Sequence, residues 1–284
     1  MTVRIAFVTS QALHDLTESD RLAAAALRGR GAVVVPAVWT DPSVEWGAFD
    51  QVIIRSPWDY YRHRDRFVEW IGALDNAGVT TRNPTAILRW NLDKSYLREL
   101  DVPQVPTEWI ERGAAVDLGQ VIRDQGWGSA VVKPTVSGGA TDTWITTPAT
   151  AAADHARAAP ILARCGLMIQ RFMPEIRDQG EWSLLFFRGR FSHATIKRPT
   201  KGDFRVQIEH GGSTHPATPT DALLAQAQRV VESVGAELLY ARVDGLDVDG
   251  QLQLMELEVL EPDLFLQYSD GAADRFAEAV LAGE

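Results

Sequence analysis

The chain has 284 residues, of which 45% are hydrophobic and 23% charged, with a formal net charge of -10 and a single cysteine. This is the composition of an ordinary folded protein, long enough for two compact units rather than one. Its acidic balance argues against nonspecific binding to nucleic acid or to an anionic membrane, one cysteine excludes an internal disulfide or a zinc-cysteine cluster, and no apolar run approaches the ~20 residues that span a bilayer.

Taken in order, the opening MTVRIAFVTS lacks the basic start and long apolar run of a secretion signal and reads as the first strand of a cytoplasmic protein. Strand signals in VRIAFVT, AVVVPAVW and QVIIRSPW alternate with a helix led by Thr17 and stopped near Gly31, and with a second helix around DRFVEWIGALDNAG. Strands separated by helices imply right-handed crossovers and a mostly parallel sheet, closing near Asn83 and Pro84. TAILRWNLDKSYLREL has apolar positions at helical spacing and predicts one helix. Pro103 and Pro106 then bracket a connection into strands at VPTEWI and SAVVKP, a helix through ATAAADHARAAPILARC, and a strand at LMIQRF. Cys165 reads as a small core residue.

The last third predicts a hairpin turning at Arg188-Gly189-Arg190, a glycine-bearing loop, the helix TDALLAQAQRVVESVG, a long hairpin turning at Asp249-Gly250, and a short amphipathic helix at the end. There is no internal repeat, heptad run or low-complexity tract. GxxxxGK[ST], GxGxxG, HExxH, GxSxG and CxxC are all absent, which removes the commonest nucleotide-binding, metalloprotease and hydrolase readings.

Two stretches carry candidate chemistry. In VVKPTVSGGATDT, Lys133 ends a strand and is followed by small residues whose backbone N–H groups can approach phosphate; a solvated turn is the plain alternative. In LQLMELEVLEPD, Glu256 and Glu258 interrupt an apolar strand at a spacing that puts both on one face. The preceding hairpin arm brings Asp244 opposite one of them, and three converging carboxylates would make a hard oxygen site suited to Mg²⁺; a solvated hairpin face is the alternative.

With RSPWDY, NPTAILRWNLDKSYL and GEWSLLFFRGRFSHATIKRPTKGDFRVQIEHGG, these stretches resemble the ATP-grasp superfamily over essentially the whole chain. They are similar in particular to the group that includes the cyclo-ligase of D-cycloserine biosynthesis. The resemblance implies an α/β plus α+β protein: an open parallel-sheet domain over residues 1–90, a central subdomain with a lid over 91–178, and an antiparallel-sheet subdomain with the metal site over 179–284.

It also implies residue roles. Lys94 and Lys133 would bind ATP phosphates beneath a lid running from Ser137 through Gly138 and Gly139 to Thr143. Gln170, Arg171, Phe172 and Met173 would form the adenine hinge, and Glu181 would hold the ribose or stand as a surface acid at a strand end. Asp244, Glu256 and Glu258 would take one or two Mg²⁺ ions, Glu258 standing where many grasp enzymes carry Asn. Arg205, Arg242 and Lys197, with the adjacent Arg198, are candidates for stabilising the transferred phosphoryl group, with at least one of these four solvated. Gly211 and Gly212 would admit substrate or phosphate backbone-close, while His210 and His215 read as solvated. Arg55 and Ser56, at the C-terminal end of the third strand, are substrate candidates beside packing aromatics Trp58 and Tyr60.

The implied activity is an ATP- and Mg²⁺-dependent ligase that joins small-molecule carboxylate and amine substrates of the amino acid or dipeptide type through an acyl phosphate. An intramolecular cyclo-ligase, a peptide-modifying ligase and a non-catalytic nucleotide-binding regulator are the other readings. No nucleic acid or membrane partner is expected, and the resemblance suggests a homodimer.

Overall fold

A computed structural model describes residues 2–282, and three sheets follow one another along the chain. The first contains β1 (Arg4–Thr9), β2 (Val33–Val38), β3 (Gln51–Ser56) and β4 (Thr81–Arg82) in the order β2-β1-β3-β4, all parallel. Helices α1 (Glu18–Gly29) and α2 (Arg64–Asn76) make the crossovers. The Thr17 hydroxyl caps α1 by accepting the Asp20 N–H at 3.1 Å. A strand covered on both faces must be apolar almost throughout, and every residue of β3 is buried.

The single helix predicted after Asn83 is broken. Helix α3 (Thr85–Asn91) ends, and the chain resumes as a 3-10 turn over Lys94–Glu99. Asp93 causes the break: its carboxylate accepts the Ser95 N–H at 3.0 Å and the Thr135 hydroxyl at 3.2 Å, while the Lys94 N–H donates to the Thr135 carbonyl at 2.8 Å. The periodicity of the sequence continues across the break, but the hydrogen bonds turn Lys94 toward the second sheet.

That sheet contains β5 (Thr107–Ile110), β6 (Ala130–Pro134), β7 (Trp144–Thr146) and β8 (Leu167–Arg171) in the order β5-β8-β6-β7, all antiparallel. Helices α4 (Leu118–Asp124) and α5 (Ala151–Leu162) contribute Leu118, Ile122 and Ile161 to a core with Val132 and Ile169. Neither α4 nor β7 was legible from sequence, being seven and three residues long. The four-residue α6 (Glu175–Asp178) leads to the third sheet.

The third sheet contains β9 (Glu181–Phe187), β10 (Arg190–Arg198), β11 (Ser213–Ala217), β12 (Tyr240–Val248) and β13 (Gln251–Glu258), in the antiparallel order β11-β10-β9-β12-β13. Both predicted hairpin turns form, with Arg188 and Gly189 at φ 46° and 70° and Asp249 and Gly250 at φ 52° and 81°. Helix α7 (Asp221–Ser233) covers one face, packing Leu223 and Val230 against Leu184, Phe186, Val243 and Leu257. Helix α8 (Ala272–Leu281) joins the first and third sheets, its Phe276 ring lying 6.5 Å from Phe7 and 5.3 Å from Phe187. Burying a side chain of that size stabilises the fold by roughly 1.5–3 kcal/mol.

The outer edge of β13 is closed by side chains. Asn91 donates to the Leu257 carbonyl and accepts from Val259 and Leu260, while the Tyr96 hydroxyl both donates to and accepts from Leu257. These bonds satisfy an edge that would otherwise template pairing with another chain, and they hold β13 rigid at the residues that matter below.

One buried histidine makes stability depend on pH. His193, 5% exposed on β10, shares a hydrogen bond with the Leu264 carbonyl, and burial lowers its pKa from 6.5 to about 4 against the raising effect of that bond. Above pH 6.5 the ring is neutral whether the chain is folded or unfolded. As pH falls from about 6.5 to about 4 only the unfolded chain takes the proton, so up to about 3 kcal/mol of stability is lost in that window. The difference in unfolding free energy between the wild type and His193→Asn should shrink or change across those pH values; a constant difference would contradict the buried neutral ring.

Candidate active site

One face of the third sheet carries a belt of charges across four strands. Residues directly opposite in an antiparallel ladder share a face, and the ladder pairs Lys197 with Glu181, Ser183 with Asp244, Asp244 with Glu256 and Arg242 with Glu258. The belt begins where the same face stops being apolar: Leu185 and Phe187, two and four residues beyond Ser183 on β9, and Tyr240, two residues before Arg242 on β12, pack into the core shared with the first sheet. Between Asp244 and Gly245 the register slips, because β13 advances two residues, Glu256 to Leu254, while β12 advances one. This bulge needs a glycine: a Cβ on Gly245 would lie 2.6 Å from the Gln253 carbonyl oxygen. Nothing in the alternation of LQLMELE announces it.

Each charge in the belt has a defined partner. Lys197 Nζ lies 2.5 Å from Glu181 and 3.5 Å from Asp244. Arg242 holds Asp244 at 2.8 Å through Nη2 and at 3.0 Å through Nε, and the same guanidinium pairs with Glu258. Ser183, which sequence reading passed over, donates its hydroxyl to Asp244 at 2.5 Å. From outside the sheet, Lys94 Nζ reaches Glu256 at 3.1 Å and the Ser137 carbonyl at 3.0 Å. Lys133, on the face of β6 shared with Met168 and Gln170, makes no ion pair among the described residues.

Burial opposes every one of these charges, and the neighbours decide the outcome. For Lys94 the pull of Glu256 outweighs burial and raises its pKa; for Lys197, Asp244 and Glu181 do the same. For Asp244 the attraction of Arg242 and Lys197 outweighs burial and lowers its pKa. For Lys133 burial, with repulsion from Lys94, outweighs the attraction of Glu256, Glu181 and Asp244 and lowers its pKa. Burial pushes the Glu258 carboxyl well above its usual range, Glu256 and Asp244 adding to the effect against Arg242, and burial likewise raises Glu181.

The structure gives the remaining expected site residues these surroundings. Asp244, Glu256 and Glu258 share a face, each held by a cation: Asp244 and Glu258 both by Arg242, and Glu256 by Lys94; among the described residues no three carboxylates or histidines are gathered as a metal-ligand set. Arg205 does not join the belt; its guanidinium holds Asp203 at 2.8 Å and pulls that carboxyl well below the usual range. Arg55 is 1% exposed, its Nε on Asp20 at 2.9 Å and its Nη2 on the Pro262 carbonyl at 2.6 Å. Ser56 is fully buried with its hydroxyl 3.1 Å from Thr9 Oγ1. Gly212 is a glycine because a Cβ would lie 2.1 Å from the Val206 carbonyl oxygen, and Gly211, at φ 80°, ends the 3-10 turn over Ile208–His210; the chain itself explains both.

At the end of β8, Gln170 is buried and donates to Thr107 Oγ1 at 3.0 Å, whereas Arg171 points to solvent. The N–H groups of Arg171 and Phe172 donate to the carbonyls of Pro106 and Ser129. Among the described residues the Met173 N–H and the Phe172 carbonyl have no partner. Beside them lies an apolar cluster in which Phe172 and Met173 meet Val206, Phe204, Leu246 and Met255. Met255 is the residue released by the bulge, so a position that reads as ordinary strand lines this cluster.

The sequence of the cycloserine biosynthesis protein DcsG of Streptomyces lavendulae is 30% identical over 265 residues, 85% of this chain and 86% of that protein. The chain belongs to the DcsG family of ATP-grasp ligases. The family described as the N-terminal domain of D-cycloserine synthetase DcsG matches residues 5–83, which contain the parallel sheet. The crystal structure of D-cycloserine synthetase DcsG superposes with a TM-score of 0.88 at 26% identity, covering 98% of both chains. D-alanine–D-alanine ligase from Bacillus anthracis shares the fold, with a TM-score of 0.71 at 13% identity over 99% of this chain and 96% of that one. The chain is therefore an enzyme of the carbon–nitrogen bond-forming class, and its fold is the one the sequence led us to expect. No helix among the described residues is long and apolar enough to cross a membrane.

Proposed function

We propose that the protein uses ATP to activate the carboxylate of a small amino acid or dipeptide-like substrate as an acyl phosphate, which an amine-type nitrogen then attacks. The belt carries this reading: four cations, Lys94, Lys133, Lys197 and Arg242, set among Glu181, Asp244, Glu256 and Glu258. A carboxylate is a poor electrophile at neutral pH, so a phosphoryl group must be attached before nitrogen can displace it.

A triphosphate entering here would draw Lys94, Lys133 and Lys197 onto its oxygens. Lys94 turning to phosphate leaves Glu256 behind and Lys197 leaves Glu181, and an unpaired carboxylate in a buried site is costly. A divalent cation removes that cost. Mg²⁺ commonly takes one or two protein carboxylates plus phosphate oxygens and water, and Glu256 and Glu258 fit that role, with side chains 26% and 21% exposed against 3% for Asp244. Bound there, Mg²⁺ would supply charge neutralisation at the β- and γ-phosphates.

The protein's own groups would do the rest. The purine would enter the apolar cluster of Phe172, Met173, Leu246 and Met255, with its edge read by the Met173 N–H and the Phe172 carbonyl. Glu181 would accept from the ribose hydroxyls. A substrate carboxylate oxygen attacks the γ-phosphorus in line and ADP leaves; nitrogen then attacks the acyl carbon, phosphate departs with the bonding electrons, and the nitrogen loses its proton. Arg242, at the end of the belt, would stabilise the transferred phosphoryl group and the tetrahedral state. Asp244 holds Arg242 and Lys197 in place for this.

A second reading is favoured by the 30% identity to the cycloserine biosynthesis protein: an intramolecular ligation, closing an aminooxy or ureido amino acid on itself in antibiotic biosynthesis. Both are tested by following ADP release across a panel of amino acids, dipeptides and aminooxy or ureido amino acids, with hydroxylamine added to trap the acyl phosphate. Hydroxamate should accompany ADP for the true substrate. ADP release with no hydroxamate at any hydroxylamine concentration would count against the intermediate, and product from a single substrate would select the intramolecular reading.

A further inference from the structure

The loop over residues 137–143 follows β6 and lies against three separate elements. Its Ser137 carbonyl accepts from Lys94 at 3.0 Å, its Gly139 carbonyl lies 3.3 Å from His210 Nε2 on the loop before β11, and its Asp142 pairs with Arg164 after α5. The fourth contact comes from the first domain. Tyr61, in the 3-10 turn over Tyr60–His63, places its hydroxyl 3.2 Å from Thr141 Oγ1. Its ring covers Gly138 so closely that a Cβ there would meet two ring carbons at 3.2 Å.

The tyrosine is itself held in place. Arg62 Nε donates to the Tyr61 hydroxyl oxygen at 3.2 Å, and the Arg62 guanidinium sits 5.5 Å from the ring centroid. A phenol oxygen that accepts from arginine keeps its own proton free for Thr141. The ring also packs against two cores, that of the parallel sheet and that of the second sheet.

The loop is not a relaxed turn. Gly139, Ala140 and Asp142 lie at φ 58°, 56° and 55°, a left-handed conformation that costs an alanine free energy and persists only where surroundings impose it. Its internal backbone bonds are two, from Thr141 to the Gly138 carbonyl and from Thr143 to the Ala140 carbonyl. The outside contacts must therefore supply the rest.

We propose that Tyr61 is a positioning residue that latches this loop down on the belt through Thr141 and Gly138, keeping water from the activated carboxylate; this rests on reading the loop as the cover of the reacting phosphates. The latch ties the first domain to the cover, so that the substrate side of the site and the nucleotide side close together. It differs from a packing role in one measurable respect. Packing is served equally well by phenylalanine, whereas the latch needs the hydroxyl.

The test uses the full-length chain with Tyr61→Phe, Thr141→Val and the double substitution. Losing one hydrogen bond of ordinary strength should speed amide hydrogen exchange within residues 137–143 by about fivefold in either single variant, and the double variant should be no faster, since both remove the same bond. In turnover, the ratio of ADP released to amide formed should rise by a similar factor, as water competes for the acyl phosphate, and KM for ATP should rise while the thermal midpoint stays put. Gly138→Ala, which pushes on the ring, should raise the same ratio with Tyr61 intact. Unchanged exchange in both single variants overturns the latch. Faster exchange with an unchanged ADP-to-product ratio overturns its role in excluding water. The exchange arm needs no nucleotide, so a wild type that fails to release ADP with any substrate would overturn the ligase site independently, with the exchange result still deciding whether Tyr61 holds the loop.

Discussion

Replacing Glu256 by Gln is expected to lower ADP release by about a hundredfold or more while leaving the fold intact. Glutamine keeps the volume, and β13 is held by backbone bonds and by Asn91 and Tyr96, none of which use the Glu256 side chain. What changes is charge. Lys94 loses the carboxylate 3.1 Å from its Nζ, and the cation that would accompany the triphosphate loses one of its two accessible anionic ligands. Terms of that kind in a site closed to water are each worth on the order of 10²-fold in rate. Steady-state ADP release with the true substrate, alongside a thermal midpoint, separates chemistry from folding. Turnover within about threefold of wild type would remove Glu256 from the metal site.

Arg55→Met is expected to destabilise the protein by about 3–5 kcal/mol, the usual cost of stripping one partner from a buried ion pair. The guanidinium is 1% exposed, donates to Asp20 and to the Pro262 carbonyl, and stacks 5.0 Å from the Tyr240 ring. Met fills similar space but leaves Asp20 buried and unpaired. Adding Asp20→Leu to Arg55→Met should therefore recover part of the loss, which chemical denaturation can measure. Because Arg55 joins β3 and α1 to the loop after β13 rather than facing the belt, KM for the carboxylate substrate should be unchanged in whatever fraction folds. A raised KM with normal stability would return Arg55 to the substrate site, where its position at the end of a parallel strand first suggested it.

The two outcomes differ because sequence position specifies where a side chain starts and not what it meets. Arg55 and Lys94 both carry a buried positive charge. One is enclosed by Asp20 from a helix 35 residues earlier in the chain, the other reaches a carboxylate on β13. Arg205 sits in a glycine-bearing loop expected to approach substrate or phosphate, yet its guanidinium pairs with Asp203, two residues away.

Much of the fold was legible in the chain because it rests on short-range physics. Alternating strand and helix signals specify a parallel sheet, two dipeptide turns that tolerate positive φ specify the hairpins, and Thr17 and Gly31 mark the ends of α1. The Asp249-Gly250 turn sets the register from Val248–Gln251 to Gly245–Leu254, which by itself would put Asp244 opposite Met255; only the bulge moves it opposite Glu256. The tertiary structure alone decided three things: the bulge that frees Met255, the break at Asp93 that aims Lys94, and the distribution of cations among the carboxylates. Each depends on groups far apart in sequence competing for the same hydrogen bonds and charges. Local pattern carries no record of which competitor wins.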